Sequence, residues 1–398
     1  MGASKKNYNS NWGEGGTTPA YFLTQSKKMK ATNGECARIT VAPTRLRRLR
    51  PTRRLVHLLP DEDVQNFKCY EILRYKRSTL DGRIYPCRFS YSPGGVGRNI
   101  CDSLSKLGHV PKFLSAVGDD YQGTILSKSI PLQSSNFLKV LKGRRTAQCI
   151  IVFDKRGDCR LLMGDMEVHA EISPKLIQEN EVVIKTAPLV VLDANLSVES
   201  VEEALKLATK YSIPVVFEPT DVEIADKPFR TPYWKAVKLI TPNLNELRHI
   251  TSTFLENRPN KPISYKSNTV EEAAYLAKQL AGYIENVIVT LGSSGVLVAR
   301  KALAIDPFLN YQQTKEVHLR HYPCTVVKDF VNVSGAGDCL ASGIIAGVLR
   351  GLPETQCLSI GFTAAETALY TQSAVPDKIF EQGHQCWNTS AKFETLQL

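Results

Sequence analysis

A chain of 398 residues with 43% hydrophobic content holds enough apolar material for a large core, and its length suits two or three domains or one large α/β domain. That composition excludes a wholly disordered chain, and the longest apolar runs, such as Pro188–Leu192, fall far short of the roughly 18 to 20 residues of a membrane-crossing helix. The net charge of +11 lies almost wholly at the front: residues 1–60 carry twelve Lys or Arg against two Glu, a balance of +10 that leaves +1 for the other 338 residues.

The first segment, MGASKKNYNSNWGEGG onward, is polar and lacks periodicity, so disorder is expected. It includes RLRRLRPTRR at Arg45–Arg54, six arginines in ten residues. Such a run serves as a solvated basic arm, a nucleic-acid contact, a nuclear signal or part of an organelle-targeting presequence. No aromatic stacking platform interleaves with it. Residues 1–79 are therefore expected to form a basic arm and residues 80–398 the folded domain.

From about residue 80 apolar segments alternate with turn signals. Tyr85, Cys87, Phe89 and Tyr91 recur with period two, as on a half-buried strand whose Pro86 places it at an edge. Val96–Leu107 reads as a helix opened by SPGG and closed by Gly108. Ala147–Phe153 and Cys159–Met163, joined by DKRGD, read as an antiparallel hairpin.

Leu189–Asp193, Pro214–Glu218, Val237–Thr241 and Val287–Leu291 are short continuous apolar runs, as expected of strands covered on both faces. Helical stretches separate them, one marked by Val201, Ala204, Leu205 and Ala208, another by Val270, Ala273, Ala274, Ala277, Leu280 and Ala281. This alternation predicts a mainly parallel sheet in three layers. Residues 300–327 are less regular; Gly335–Leu349 and Cys357–Thr371 read as helices.

The ten cysteines contain no CxxC pair and form no stapled cluster, which fits reduced thiols in a soluble cytoplasmic protein. His318 and His321 have no Cys or carboxylate near them in sequence and read as strand-end histidines rather than metal ligands.

Four motifs carry possible chemistry. In SGAGD, Gly335 and Gly337 let the backbone approach a ligand, and the helix beginning there aims free amides and its positive dipole end at the same point. An anion belongs there, and Asp338 beside it suits the work of accepting a proton from an attacking hydroxyl; alone, the motif is equally a Gly-rich turn with a capping Asp. In PGGVGRN, Gly94 and Gly95 allow close approach to a small polar ligand and Asn99 offers both donor and acceptor, although a loop with a helix cap has the same appearance. Asn243 and Glu246 in TPNLNEL share one face of a first helical turn, where they can hold a hydrated magnesium ion or simply begin the helix. Thr290, Gly292 and Gly295 form a strand–glycine loop–strand, either a ligand-lining loop or a tight hairpin.

In this order the four motifs, with Val117-Gly118-Asp119-Asp120 and Gly123, resemble the PfkB, or ribokinase-like, family of carbohydrate and nucleoside kinases over about residues 91–376. The resemblance implies a ribokinase-like three-layer α/β/α fold with a mainly parallel central sheet and a small β lid from strands near 84–92 and 147–163. It implies Asp338 as catalytic base, the amides of Gly335, Ala336 and Gly337 as anion hole, and ATP with Mg2+ at Asn243, Glu246, Thr290, Gly292 and Gly295, with no direct metal ligand. Gly94, Gly95 and Asn99 would hold the acceptor.

Within the family, YSPGGVGRN, GDMEVH at Gly164–His169 and FEPTDVEIADKPF at Phe217–Phe229 look most like animal pseudouridine kinases, which implies phosphorylation of a nucleoside 5'-hydroxyl and a functional link to a pseudouridine-5'-phosphate glycosidase. A kinase for ribose or another nucleoside, and a catalytically impaired isoform, are the alternatives.

Two departures from the family pattern stand out. Family members open with an apolar interior strand ending in a Gly-Gly-x-x-x-Asp-like element that grips sugar hydroxyls, and the only upstream Gly-Gly here, Gly15-Gly16, has polar neighbours. Asn332 stands where many members carry an Asp that helps bind a monovalent cation such as K+.

Overall fold

A computed structural model of the chain describes residues 22–23, 41–42, 66–70 and 88–398 apart from 154–158, 256–268, 326, 329, 332 and 382. Arg45–Arg54, Gly15-Gly16 and Asn332 lie outside the described residues.

β1 (Phe22–Leu23) and β2 (Val41–Ala42) pair antiparallel with each other. β3 (Asn66–Tyr70) pairs antiparallel with β4 (Arg88–Ser90). After α1 (Val96–Lys106) and β5 (Ser115–Gly118), the helices α2 (Tyr121–Ser129) and α3 (Leu132–Ser135) lead to β6 (Leu138–Leu141), parallel to β5. The chain then returns to β3 as β7 (Gln148–Phe153), parallel to it, and folds back as β8 (Cys159–Asp165).

The resulting sheet, ordered β4-β3-β7-β8, contains strands at both places, near 84–92 and 147–163, from which a small lid is expected. β3 adds to that expectation: it belongs to the lid yet lies within residues 1–79, the stretch assigned to the arm. A five-residue strand held by a partner 83 residues on leaves only a faint local pattern.

α4 (Pro174–Glu179) and α5 (Glu181–Lys185) precede the main sheet. Its parallel part runs through β9 (Val190–Asp193), α6 (Val198–Tyr211), β10 (Val215–Glu218), β11 (Val237–Ile240), α7 (Leu244–Leu255), α8 (Thr269–Leu280) and β12 (Asn286–Thr290). β13 (Val296–Arg300) and β14 (His318–Tyr322) extend it antiparallel. α9 (Ala336–Leu349) and α10 (Glu354–Leu369) follow, and β15 (Glu394–Leu396) closes the far edge against β14. Since β14 turns back to the direction of β9–β12, five of the seven strands point the same way.

Alternate residues of one strand feed different cores, the period-two signature of a sheet covered on both faces. Val215 and Phe217 pack with Val201 and Leu205 of α6 and Ala273 and Ala277 of α8. Val216, between them, packs on the opposite face with Leu239, Ile288 and Ile344 of α9. Helix–sheet–helix layering follows, as the alternating pattern predicts.

α9 and α10 approach backbone to backbone: a Cβ at Gly343 would lie 2.7 Å from Gly361 Cα. At the start of α10 the carboxylate of Glu354, fully buried, accepts from Arg320 Nε and Nη2 and from the Tyr322 hydroxyl, each at 2.6 Å, with Arg300 Nη1 at 3.4 Å. This cluster ties α10 to β13 and β14.

Beyond β9 the seven-stranded sheet stops, and no strand among the described residues pairs with that edge. The β5–β6 pair lies across a cavity of about 1260 Å³, lined by residues 188–193 on one side and 114–116 on the other. The interior strand expected before the lid is therefore not supplied by any described residue.

Candidate active site

Gly335 has φ 84° and is the N-cap of α9. A Cβ there would meet Ala374 O at 2.0 Å, so only glycine lets the chain turn against that carbonyl. α9 then starts with first-turn amides that have no carbonyl one turn behind, and Gly337 faces open space, with nothing within 4 Å of a built Cβ. Asp338 lies in that same turn and lines the large cavity with Gly94, Gly95, Asn99 and Asp193.

Asn99 Nδ2 donates to Asp338 Oδ2 at 2.6 Å. The orientation of the Asn99 amide is set from behind, because its Oδ1 accepts from the Arg98 guanidinium. Arg98, itself 6% exposed, also donates to Asp102 Oδ2 at 3.1 Å and to Pro93 O at 2.8 Å. Arg98 thus joins the glycine turn, the helix and the amide that contacts Asp338. Burial pushes the Asp338 carboxyl up to about 6; the Asn99 hydrogen bond and the Arg98 charge pull the other way, and Asp193 adds to the rise.

The strands β9–β12 end side by side along one carboxyl edge, where open α/β sheets place ligands. Asp193 ends β9 and Glu218 ends β10. The Glu218 carboxyl accepts from Thr241 Oγ1, and burial raises it well above the usual carboxylate range, with the charges of Asp338 and Glu246 adding to the effect.

Farther along, Asn243 Oδ1 accepts from the Glu246 amide at 3.0 Å while Glu246 Oε2 accepts from the Asn243 amide at 2.8 Å, a reciprocal capping box. Burial also raises the Glu246 carboxyl. Thr290 bridges to Asn243, its amide donating to Pro242 O at 2.9 Å. Gly292 and Gly295 have φ 58° and 89°, and a Cβ at Gly295 would strike Tyr322 O at 2.1 Å. Geometrically this loop is a tight turn between antiparallel strands, and it sits at the carboxyl edge beside Asn243.

The expected residues thus fall into two neighbouring groups. Gly94, Gly95, Asn99 and Asp338 share the cavity; Asn243, Glu246, Thr290, Gly292 and Gly295 lie outside its lining, farther along the same edge. Glu218 is influenced by a carboxyl of each group, Asp338 and Glu246, and the amides of Gly335, Ala336 and Gly337 open α9 beside Asp338. Asp119 and Asp120, by contrast, tie the turn after β5 to the loop between β6 and β7: Asp120 accepts from the Gly123 and Thr146 amides at 2.8 Å, and Asp119 from Gly143 N at 2.9 Å.

Sequence reasoning did not single out Asp193, Thr220, His169 or Lys227, all of which line the cavity. Lys227 Nζ donates to Ala194 O at 2.7 Å and Leu196 O at 2.6 Å, holding the loop after β9. Thr220 takes φ 66°, uncommon outside glycine, with its hydroxyl between Ala194 N and Glu218 O. His169 belongs to GDMEVH, and Thr220 and Lys227 to FEPTDVEIADKPF; both segments border the cavity, although neither displays a local chemical pattern in sequence. Arg98 and Asp102 did carry a signal, an i, i+4 ion pair on an apolar-faced helix.

The sequence profile of pfkB family carbohydrate kinases matches residues 68–378. Among curated proteins, the pseudouridine kinase of Arabidopsis thaliana is 28% identical over 332 residues, 75% of this chain and 87% of that protein. The pseudouridine kinase of Escherichia coli (strain K12) is 23% identical over 288 residues, 71% and 82% of the two chains. Among solved structures, ribokinase from Arabidopsis thaliana complexed with ribose and ATP superposes with a TM-score of 0.59 at 16% identity, covering 80% of this chain and 96% of that one. Ribokinase from Cryptococcus neoformans var. grubii serotype A in complex with ADP gives 0.60 at 18%, covering 79% and 94%. These structures share the ribokinase-like three-layer α/β/α fold that the order of motifs implies.

Proposed function

The chain belongs to the pfkB family of carbohydrate kinases and is a phosphotransferase acting on a sugar or nucleoside, and on that premise we propose that it transfers the γ-phosphoryl group of ATP to the 5'-hydroxyl of pseudouridine. The observation that carries the chemistry is the 2.6 Å hydrogen bond from Asn99 to Asp338, which sets an acceptor-site amide against a carboxyl at the mouth of a helix N-terminus. The substrate rests on similarity to the two pseudouridine kinases.

Asp338 removes the proton of the acceptor hydroxyl as that oxygen attacks the γ-phosphorus and ADP leaves. The amides of Gly335, Ala336 and Gly337 face the charge that builds on the transferring group. Gly94, Gly95 and Asn99 hold the nucleoside, and Thr290, Gly292 and Gly295 line the nucleotide. Asn243 and Glu246 suit a hydrated Mg2+: burial raises the carboxyls of Glu218 and Glu246, nearby acidic groups add to the rise, and a cation there would favour the ionised forms. When bound, the ion supplies charge neutralisation at the nucleotide phosphates.

The catalytic domain in this reading starts with β3, near residue 66, and the basic segment precedes it. A pseudouridine-5'-phosphate glycosidase is the functional partner and the cytoplasm the expected address; among the described residues no helix is long and apolar enough to cross a membrane. The test is a panel of pseudouridine, uridine, adenosine and ribose at equal ATP. The highest kcat/KM for pseudouridine supports the assignment, and a higher value for any other acceptor reassigns the substrate.

A second reading is a catalytically impaired form of the kinase; among the described residues no strand pairs with the outer edge of β9. Calorimetry separates the two, since saturable pseudouridine binding by the full chain rules out the impaired form.

A further inference from the structure

We propose that Arg98 is a positioning residue for the phosphoryl transfer: its guanidinium holds the Asn99 carboxamide in the one orientation that makes Asp338 accept, rather than donate, the hydrogen bond between them. The inference rests on the reading of Asp338 as the proton acceptor.

An asparagine side chain has nearly the same shape in two orientations, which differ by a half-turn that exchanges its oxygen and its nitrogen. The partners at its two ends select between them. Asn99 meets a donor at one end, Arg98 Nη2, and a carboxyl at the other, with Nδ2 2.6 Å from Asp338 Oδ2. Flipped, the amide sets its N–H groups against the guanidinium and its carbonyl against the carboxylate, so both contacts are lost together. Without Arg98 only the carboxylate opposes the flip, and a protonated Asp338 removes that opposition by donating its own O–H to the flipped carbonyl. Arg98 is the partner that keeps the amide facing Asp338 as a donor whether or not the carboxyl carries a proton.

The guanidinium is itself fixed. Nη2 donates to Asn99 Oδ1 and to Pro93 O, the latter at 2.8 Å, while Nη1 donates to Asp102 Oδ2 at 3.1 Å. Asp102 Oδ2 also accepts from Lys106 Nζ at 3.0 Å. Arg98, Asn99 and Asp102 are all buried, so solvent competes little for these bonds. A planar fork with donors on two nitrogens serves three acceptors in different directions; a lysine ammonium gathers its donors on one atom.

Packing alone does not call for an arginine here. Buried ion pairs commonly add little to stability over apolar side chains of the same volume, and Ile100 and Leu104 of α1 already pack with Cys339 and Ile344 of α9. Burial lowers the Arg98 guanidinium from its ordinary value, and Asp102 and then Asp338 oppose that loss of charge.

The charges around Asp338 act in the same sense as the amide. Arg98 of α1 favours the carboxylate, and Asp193 at the end of β9 opposes it. Glu218, at the end of β10, is a carboxyl raised by burial and, further, by Asp338; the Cys339 thiol next to Asp338 on α9 is pushed up to about 12 by burial and then by that carboxyl. Loss of Arg98 therefore favours protonated Asp338 twice, through the flipped amide and through the missing charge.

The test is the pH profile and the kcat and KM of Arg98→Gln and Arg98→Lys, with Asp338→Asn alongside, on the best acceptor of the panel above. Arg98→Gln is expected to lower kcat by about 10-fold or more, to change KM by less than about threefold, and to move the acid limb to higher pH. Arg98→Lys keeps the charge without the fork, so kcat falls by at least about threefold while the limb moves less. Glu354→Gln, destabilised far from the site, keeps the limb of the unaltered chain. A fall in kcat with no displacement of the limb in folded Arg98→Gln overturns the proposal, because a structural role accounts for it. A folded Arg98→Lys with kcat within about threefold of the unaltered chain overturns it as well, even where Arg98→Gln fails to fold. Turnover lost in Asp338→Asn but intact in both Arg98 variants removes the role of Arg98 alone, whereas turnover retained in Asp338→Asn removes the base assignment and this inference together.

Discussion

Asn99, in the first turn of α1, and Asp338, in the first turn of α9, are 239 residues apart in sequence, yet the side-chain amide of one donates to the carboxylate of the other at 2.6 Å. Both helices begin at a glycine with positive φ, Gly95 at 95° and Gly335 at 84°, so two glycine turns are aimed at one point from opposite ends of the domain. The contact has a direction, because Arg98 occupies Asn99 Oδ1 and leaves only the donor end for Asp338. A base held in this way is oriented before substrate arrives.

Asp338 titrates near 6, and the carboxylate is the form that accepts a proton. The logarithm of kcat/KM is therefore expected to fall with unit slope as pH drops below about 6. Replacing Asn99 by Ala removes a hydrogen bond that favours the carboxylate, so the acid limb moves to higher pH. A profile flat between pH 5 and 8 would falsify the assignment of the base.

The same shift affects stability with the opposite sense. A carboxyl raised on folding binds its proton more tightly in the folded state, so its contribution to stability is greatest below the unfolded value near 4 and declines as pH rises through about 6. Asp338→Asn removes that penalty and is expected to stabilise the protein at pH 7 by roughly 1 to 3 kcal/mol. Denaturant unfolding checks this, and a destabilised variant contradicts the stated environment of Asp338.

Gly335 and Gly337 are two residues apart and have different roles. Gly335→Ala combines positive φ with a collision at Ala374 O, and is expected to cost about 2 kcal/mol or more. Gly337→Ala meets nothing and gains up to about 1 kcal/mol of helix propensity, while its methyl group projects beside the proposed phosphoryl site. The first variant should unfold earlier and the second should fold normally but turn over more slowly. Equal melting temperatures for the two would contradict the turn geometry.

Much of this arrangement was legible in the sequence, for a physical reason. Strands buried on both faces, such as Val287–Leu291, appear as apolar runs, and Gly335, Gly295 and Gly95 stand where only glycine tolerates the backbone. β3 and β15 were not legible, because each is short and held by partners distant in sequence. Asp193 and Lys227 were hidden because their place in the cavity depends on which strand ends adjoin, information that no local spacing carries. The capping box of Asn243 and Glu246 showed in the sequence as an acidic first turn; what the spacing could not reveal was that both side chains bond each other's amides.

Glu354 carries a prediction confined to stability. Its carboxylate is fully buried against Arg320, Arg300 and Tyr322, and Glu354→Gln leaves two buried guanidiniums without their counter-charge. A loss of about 3 to 5 kcal/mol is expected, with kcat unchanged at temperatures where the variant remains folded. Loss of turnover in a fully folded variant would tie this cluster to catalysis instead.

Asp338 as the proton acceptor of a phosphoryl transfer is tested most directly by the turnover of Asp338→Asn, measured as transfer of phosphate from ATP to pseudouridine. The expected result is a fall in kcat of roughly 100- to 10,000-fold in a protein that remains folded. A kcat within about threefold of the unaltered chain would contradict it.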